Sequence, residues 1–132
     1  MAQLRKDGDA VISLIAVEGG NVVGHVMFSR MSAPFRALGL APVSVDPHWR
    51  NQGIAARLIE EGLKQAKATG WEGIFVVGDP AYYQRFGFSA NAAEGFESPY
   101  AGPYLMVLAL NEDGLPSRSG RIDYAPAFSS LG

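Results

Sequence analysis

The sequence contains no cysteine, and this absence removes several kinds of site from consideration. Without thiolates the chain can form no cysteine zinc site, no iron–sulfur cluster and no cysteine nucleophile. It also has only two histidines, which are too few to suggest a dedicated metal site. We therefore expect a protein that works without a bound metal.

Long apolar runs and clusters of basic residues are also missing. No stretch approaches the roughly 20 apolar residues that are needed to cross a bilayer, and the first residues lack the apolar segment of a secretion signal. The 11 Lys and Arg residues are outnumbered by 13 Asp and Glu residues, and no basic stripe typical of nucleic-acid binding is present. These features predict a cytoplasmic protein with neither a nucleic acid nor a membrane as its partner.

The length and composition fit one globular domain. The chain has 132 residues, of which 48% are hydrophobic, and domains commonly span about 100–200 residues. No internal repeat, low-complexity block or linker divides it. We predict a single domain over residues 1–132.

The first part of the chain has the pattern of three strands. Ala10 to Val17 and Val22 to Met31 flank a glycine-rich turn, which predicts a hairpin. A third strand is expected over Leu38 to Val45. Pro42 lies in its middle, and because proline lacks an N–H donor it fits only an edge, a bulge or a place where strands separate.

The next part has the pattern of a helix followed by a buried strand. Apolar residues recur at helical spacing from Ile54 to Ala68, with charged residues on the opposite face. A short strand is expected over Gly73 to Val77. A strand, a helix and a strand in this order form a βαβ unit, which implies parallel strands with a right-handed crossover.

The last part predicts a shorter helix, a strand and a tail. Asp79 is suited to cap a helix that begins at Pro80 and ends near Gly87, and a strand follows over Tyr104 to Leu110. The tail from Asn111 is expected to wrap over the surface, anchored by Ile122, Tyr124 and Phe128. The fold class is therefore α/β, with a mixed, mostly antiparallel sheet around a central parallel βαβ unit.

Residues 3–8 have the pattern of a helix end, with basic residues in the last turn and Gly8 just after it. Two interpretations are open: a frayed chain start, or the end of a helix whose body is absent.

The turn before the long helix is the most informative segment. It runs from Asp46 to Gly53 and places small residues at the start of the helix. Helix N-termini offer unpaired N–H groups and can bind a phosphate closely where side chains are small. An anion site and an ordinary strand–helix connection are both open here. The spacing matches neither the dinucleotide-binding fingerprint nor the P-loop.

Two motifs carry a resemblance to a known family. Arg50-x-x-Gly53-x-Ala55 resembles the Arg/Gln-x-x-Gly-x-Gly/Ala signature of the GNAT superfamily of N-acetyltransferases, and it follows a strand as the family requires. Tyr83 to Phe88 (YQRFGF) resembles the family's Tyr-x-x-x-Gly-Phe segment. The run from Val77 to Phe88 is similar to a branch of small bacterial predicted acetyltransferases. The resemblance covers roughly residues 10–128.

The resemblance implies an acyltransferase with acetyl-CoA as cosubstrate. A primary amine of a small molecule or peptide would attack the thioester directly in a ternary complex, and the lack of cysteine already excludes an acyl-cysteine intermediate. The implied fold is the acyl-CoA N-acyltransferase type, in which the bulged central strand separates from its parallel neighbour and leaves a cofactor cleft. That separation would explain Pro42. A non-catalytic CoA-binding or regulatory module of the same fold is the alternative.

The family also implies roles for individual residues. Backbone groups of Val43 and Val45 would pair with the pantetheine arm, and Tyr83 would protonate the leaving thiolate. Tyr82 is the rival if the register slips by one, and a plain aromatic core residue is the other interpretation of Tyr83. The pyrophosphate would lie on the backbone amides at the helix start, from Asn51 or Gln52 through Gly53, Ile54, Ala55 and Ala56, with Arg50 nearby.

The general base and the acceptor stay open. The strand from Leu38 to Val45 carries no carboxylate, and His25 and His48 are the only imidazoles. We expect His25 to be a hydrogen-bonded, half-buried residue and His48 to serve its loop. Asp79 stands where many relatives have asparagine, and its capping role is sufficient to explain it.

The chain departs from the family at its front. Relatives usually begin with a strand and two helices that help to form the acceptor pocket, and here only the apparent end of the second helix is present. Either the start codon is placed late, or a partner subunit completes the fold. Sheet left exposed by the short front would favour a homodimer.

Overall fold

The computed structural model describes residues 10–124 of the chain. Its strands and helices, in chain order, are β1 (Ala10–Glu18), β2 (Asn21–Arg30), β3 (Ala37–Val45), α1 (Ile54–Ala68), β4 (Gly73–Val77), α2 (Pro80–Tyr83), α3 (Ala90–Ala93), β5 (Phe96–Glu97), β6 (Leu105–Ala109) and β7 (Gly120–Arg121).

A five-stranded mixed sheet forms the centre, in the order β1-β2-β3-β4-β6. All neighbouring strands are antiparallel except β3 and β4, which are parallel and joined through α1. The predicted hairpin, the βαβ unit and the mixed, mostly antiparallel sheet are confirmed.

β3 separates from β4 part-way along its length. Residues Ala37–Gly39 pair with Gly73–Phe75, and the rest of β3 pairs with β2 alone. Between Leu40 and Val43 the strand carries one residue more than β2 does opposite it, and this bulge contains Pro42. Proline fits the position because a bulge leaves a residue out of the hydrogen-bonding ladder.

The long helix α1 has the predicted bounds and packs on β1 and β2. Its buried residues are Ile54, Leu58, Ile59, Gly62 and Ala66. Gly62 was not expected on this face. A Cβ at its position would overlap the ring of Phe28 on β2, so the close approach of helix and sheet requires a glycine there.

Alternate residues of the central strands face two separate apolar layers. Ile74 and Val76 face the layer that contains α1. Phe75, between them, faces the opposite layer, where its ring centroid lies 6.0 Å from that of Phe35 and 5.2 Å from that of Phe96. The sheet is therefore covered on both sides in this region.

The helix α2 begins as predicted. The Asp79 carboxylate accepts a hydrogen bond from the Ala81 N–H at 3.0 Å, which caps the helix. A 3₁₀ turn over residues 84–86 then leads to Gly87, whose φ of +95° ends the segment.

The region after Phe88 contains elements that the sequence did not predict. They are α3, β5 and β7, and β5 pairs with β7 in parallel. Ile122, which is fully buried, and the partly buried Tyr124 anchor the tail as expected. Phe128 and the apparent helix end at residues 3–8 lie outside the described residues. None of the helices between residues 10 and 124 is long and apolar enough to cross a bilayer.

Candidate active site

The turn between β3 and α1 follows a path that few residue types allow. Asn51 has a φ of +64° and Gly53 a φ of +78°, a region that Asn and Gly adopt more readily than other residues. The space beside Gly53 is open, so its conformation and not its size requires glycine. The Arg50 Nε donates a hydrogen bond to the Val45 carbonyl at 3.2 Å, which ties the turn to the end of β3.

The first turn of α1 presents free backbone donors. Its first hydrogen bond runs from the Arg57 N–H to the Gly53 carbonyl at 3.0 Å, so the amides of residues 54–56 have no acceptor within the helix. In the part of the chain that the structure describes, no side chain caps them, and the first turn contains no acidic residue. Because the helix dipole is positive at this end, the turn can hold an anion such as a phosphate.

The free helix end and the separated part of β3 line one cavity of about 700 Å³. It is lined by most of the residues that the sequence predicted for cofactor binding: Val43, Val45, Arg50, Asn51, Gly53, Ile54, Ala55 and Ala56. The predicted Gln52 is exposed and does not line it. Ser44 and Trp49 line the cavity and were not predicted.

Among the described residues, two cationic side chains and no carboxylate line the cavity. Arg50 belongs to the β3–α1 turn, and Arg85 belongs to the segment that follows α2. A cleft with one sign of charge attracts ligands of the other sign, so the cavity suits an anionic ligand. Sequence reasoning missed Arg85, although it is a basic residue inside the YQRFGF motif.

The two adjacent tyrosines lie at the end of β4, next to the cavity. Tyr82 is part of the cavity wall, whereas the Tyr83 ring packs against Gly78, the residue after β4. The ring centroid of Tyr83 lies 5.2 Å from that of Tyr82 and 5.7 Å from that of Phe88. Burial raises the pKa of the Tyr83 hydroxyl, and the adjacent Tyr82 raises it further. Of the two candidates, Tyr82 lines the cavity, and Tyr83 is its neighbour in the chain without being one of the lining residues.

Neither histidine lines the cavity. The Nε2 of His25 lies 2.9 Å from the Oγ of Ser13 on the neighbouring strand. His25 is thus hydrogen-bonded and half-buried, as the sequence analysis predicts. The backbone N–H of His48 donates to the Asp46 carboxylate at 2.9 Å, which places His48 in the loop.

A second cavity, of about 300 Å³, lies between β1 and α1. Glu18, Arg57 and Glu61 give its lining charges of both signs, which suits a phosphate less well. Within residues 10–124, no three His, Asp or Glu side chains are grouped as a metal site would require.

Comparison with known proteins decides the family. Residues 9–90 match the family model of the acetyltransferase (GNAT) domain. The chain belongs to the GNAT family. The Escherichia coli (strain K12) protein named uncharacterized N-acetyltransferase YhbS is 34% identical over 132 residues, which cover 96% of this chain and 79% of YhbS.

Two solved structures are similar over most of the chain. The E. coli YhbS crystal structure in complex with CoA has a TM-score of 0.85 and 32% identity, and the match covers 95% of this chain and 73% of YhbS. A Brucella melitensis GNAT acetyltransferase in complex with acetyl-CoA has a TM-score of 0.71 and 36% identity, with coverage of 89% and 68%. The predicted family and its acyl-CoA N-acyltransferase fold are thereby confirmed.

Proposed function

We propose that this GNAT protein transfers the acetyl group of acetyl-CoA to a primary amine of a small molecule or peptide. The observation that carries the proposal is the cavity where β3 leaves β4, which joins a splayed strand to a free helix N-terminus. A separated strand and a cationic helix end suit an extended ligand with an amide-containing arm at one end and phosphates at the other. Two related structures with CoA or acetyl-CoA bound support the same donor.

The pyrophosphate of the cofactor would lie on the first turn of α1, where the amides of residues 54–56 have no helical acceptor. Ala55 and Ala56 are small enough to let phosphate oxygens approach the backbone. The pantetheine arm would run along Val43 and Val45, because the ladder between β3 and β4 ends at Gly39 and Phe75.

The reaction is a direct transfer between the two substrates. A neutral amine attacks the thioester carbonyl and the new N–C bond forms, the attacking nitrogen gives up one proton to water, and the C–S bond breaks with the electron pair on sulfur. A backbone N–H of the splayed strand can stabilise the oxyanion. The CoA thiolate then takes a proton, and we assign this proton to Tyr83. The phenol is protonated throughout the neutral range, as an acid requires, and burial favours this neutral form.

The donor site is tested by placing a negative charge at the helix start. Ala55→Asp puts a carboxylate among the first-turn amides, where it stabilises the helix but repels a phosphate. We expect acetyl-CoA affinity to fall about tenfold or more while the melting temperature is kept or rises. Isothermal titration and thermal unfolding measure both. The matched control is Arg57→Gln, an exposed residue of α1 outside this cavity.

Transfer itself is tested by release of CoA from acetyl-CoA with a panel of primary amines. Release that depends on the amine supports the enzyme. Binding of acetyl-CoA without turnover of any amine would instead support the non-catalytic CoA-binding module. If neither CoA nor acetyl-CoA binds or raises the melting temperature, the proposed donor is wrong.

A further inference from the structure

Arg85 lines the same cavity as the helix end that we assign to the pyrophosphate, but it comes from a different part of the chain. It follows α2, whereas Arg50 and the free amides belong to the β3–α1 turn and α1, and all of them line one cavity. The cavity therefore has a second cationic group, on a second segment of the chain.

The Arg85 side chain is positioned by two contacts with one neighbour. Its Nε donates to the Tyr82 carbonyl at 3.0 Å, and its guanidinium carbon lies 4.3 Å from the centroid of the Tyr82 ring. A stacked guanidinium with one nitrogen engaged keeps its two terminal NH₂ groups for a ligand. Between residues 10 and 124, no carboxylate forms an ion pair with it. The contacts hold the group in place without neutralising its charge.

Arg50 is held in the same way, with its Nε on the Val45 carbonyl. Two guanidinium groups on separate segments of the chain, each held through its Nε, suit a ligand that carries two separate anionic groups. The start of α1 and Arg50 would be sufficient to bind a ligand with a single diphosphate. CoA carries, besides its pyrophosphate, a 3′-phosphate monoester on the ribose. A phosphate monoester has a charge between about −1 and −2 at neutral pH, and a planar guanidinium binds it through paired hydrogen bonds.

We propose that Arg85 binds the 3′-phosphate of the cofactor and makes the cleft select CoA over 3′-dephospho-CoA. The inference rests on the proposed function, since it takes acetyl-CoA as the donor. It assigns a specificity role to a residue of the YQRFGF motif that takes no part in the chemistry.

The test measures the affinities of two ligands that differ by one phosphate. Each ligand is titrated into the wild-type chain and into variants that lack one positive charge. CoA and 3′-dephospho-CoA are titrated into the wild-type chain, Arg85→Gln and Arg57→Gln, with heat or fluorescence as the readout. We expect the wild type to bind CoA about five- to tenfold more tightly, as one exposed charge-assisted contact allows. In Arg85→Gln this preference should vanish through weaker CoA binding, with 3′-dephospho-CoA unaffected. Arg57→Gln should behave as the wild type does.

Two further measurements sharpen the result. The wild-type preference should shrink as salt rises from 50 to about 500 mM, because the contact is between exposed charges. Arg50→Gln should weaken both ligands by the same factor, since both retain the pyrophosphate. Thermal unfolding of each variant shows that its fold is kept.

Three outcomes would overturn the inference. If Arg85→Gln weakens both ligands equally, Arg85 contacts the pyrophosphate or the adenine and not the 3′-phosphate. If the wild type binds both ligands equally, the cleft does not recognise this phosphate. If the wild type binds neither, the proposed donor fails, and this inference fails with it.

Discussion

Tyr82 and Tyr83 are adjacent in the chain but contact different surroundings. Tyr82 lines the cavity and stacks under Arg85. Tyr83 is enclosed by aromatic rings and by Gly78 at the end of β4. The first position suits a residue that shapes the ligand site, and the second holds the tyrosine ring between Phe88 and Gly78 at the end of β4.

Conservative variants separate these two roles. Tyr83→Phe removes the proposed acid but keeps the ring, so kcat should fall about 10- to 100-fold with little change in the KM for acetyl-CoA. Tyr82→Phe keeps the stacking surface under Arg85 and should change kcat less than about twofold. Steady-state kinetics at neutral pH measures both variants. If Tyr82→Phe causes the larger loss of kcat, the assignments are reversed.

The buried hydroxyl of Tyr124 makes the stability of the fold depend on pH. Burial of its hydroxyl, aided by the nearby Tyr100, raises its pKa well above the ordinary value of about 10. The folded state therefore favours the neutral phenol. The corresponding stability is complete below pH 10 and is lost as pH rises from about 10 through the folded-state pKa.

Unfolding by urea at pH 8 to 11.5 tests this dependence. The wild-type free energy of unfolding should decline above about pH 10 by up to 1.4 kcal/mol per pH unit for this group. Tyr124→Phe keeps the ring that packs over Gly39 and should decline less steeply. Equal slopes in both proteins would show that Tyr124 does not titrate in this way.

At the scale of secondary-structure elements, the close contact between α1 and the sheet depends on a glycine in the helix. Gly62 lets the helix lie against the Phe28 ring, although glycine disfavours a helix interior. Gly62→Ala should lower the free energy of unfolding by about 1–3 kcal/mol, because the clash outweighs the gain of helix propensity. Adding Phe28→Leu makes room for the methyl group and should recover part of the loss, as a double-mutant cycle by chemical denaturation would measure.

Elements with a strong local pattern could be predicted from the sequence. The helix over Ile54–Ala68 and the strand over Gly73–Val77 have the predicted bounds, because their apolar periodicity is long or their flanks carry clear breakers. β5 and β7 are two residues each and exist through pairing between Phe96 and Gly120. Such pairing depends on contacts distant in sequence, which no local pattern encodes.

The residues of the candidate site also differ in whether a local sequence pattern could predict them. The turn with Arg50 and Gly53 is one continuous segment, so its motif predicted most of one cavity wall. Arg85 belongs to the segment after α2, so its place in the cavity depends on how β4 positions the chain that follows it. Gly62 was missed for a similar reason, since the ring that requires it lies on a different element.

At the scale of the whole molecule, the two apolar layers and the cleft lie at different places along the central strands. The layers cover the sheet where its strands are fully paired, around Phe75 and Ile74. The cleft lies where pairing ends, beside the free end of α1. The two regions meet at Ile54, which belongs to the buried core and also lines the cavity, so a substitution there should affect both stability and ligand binding.

The early end of the β3–β4 ladder has a consequence for solubility. From Leu40 to Val45, one side of β3 is a strand edge located inside the sheet, without a ladder partner in the described residues. Open edges invite pairing with strands of other molecules, and proteins commonly protect them. Pro42 and the bulge around it break the flat repeat that such pairing needs. The bulge with Pro42 lies where β3 leaves β4 and space for a cofactor opens, and it also makes this strand edge a poor partner for a strand of a second molecule.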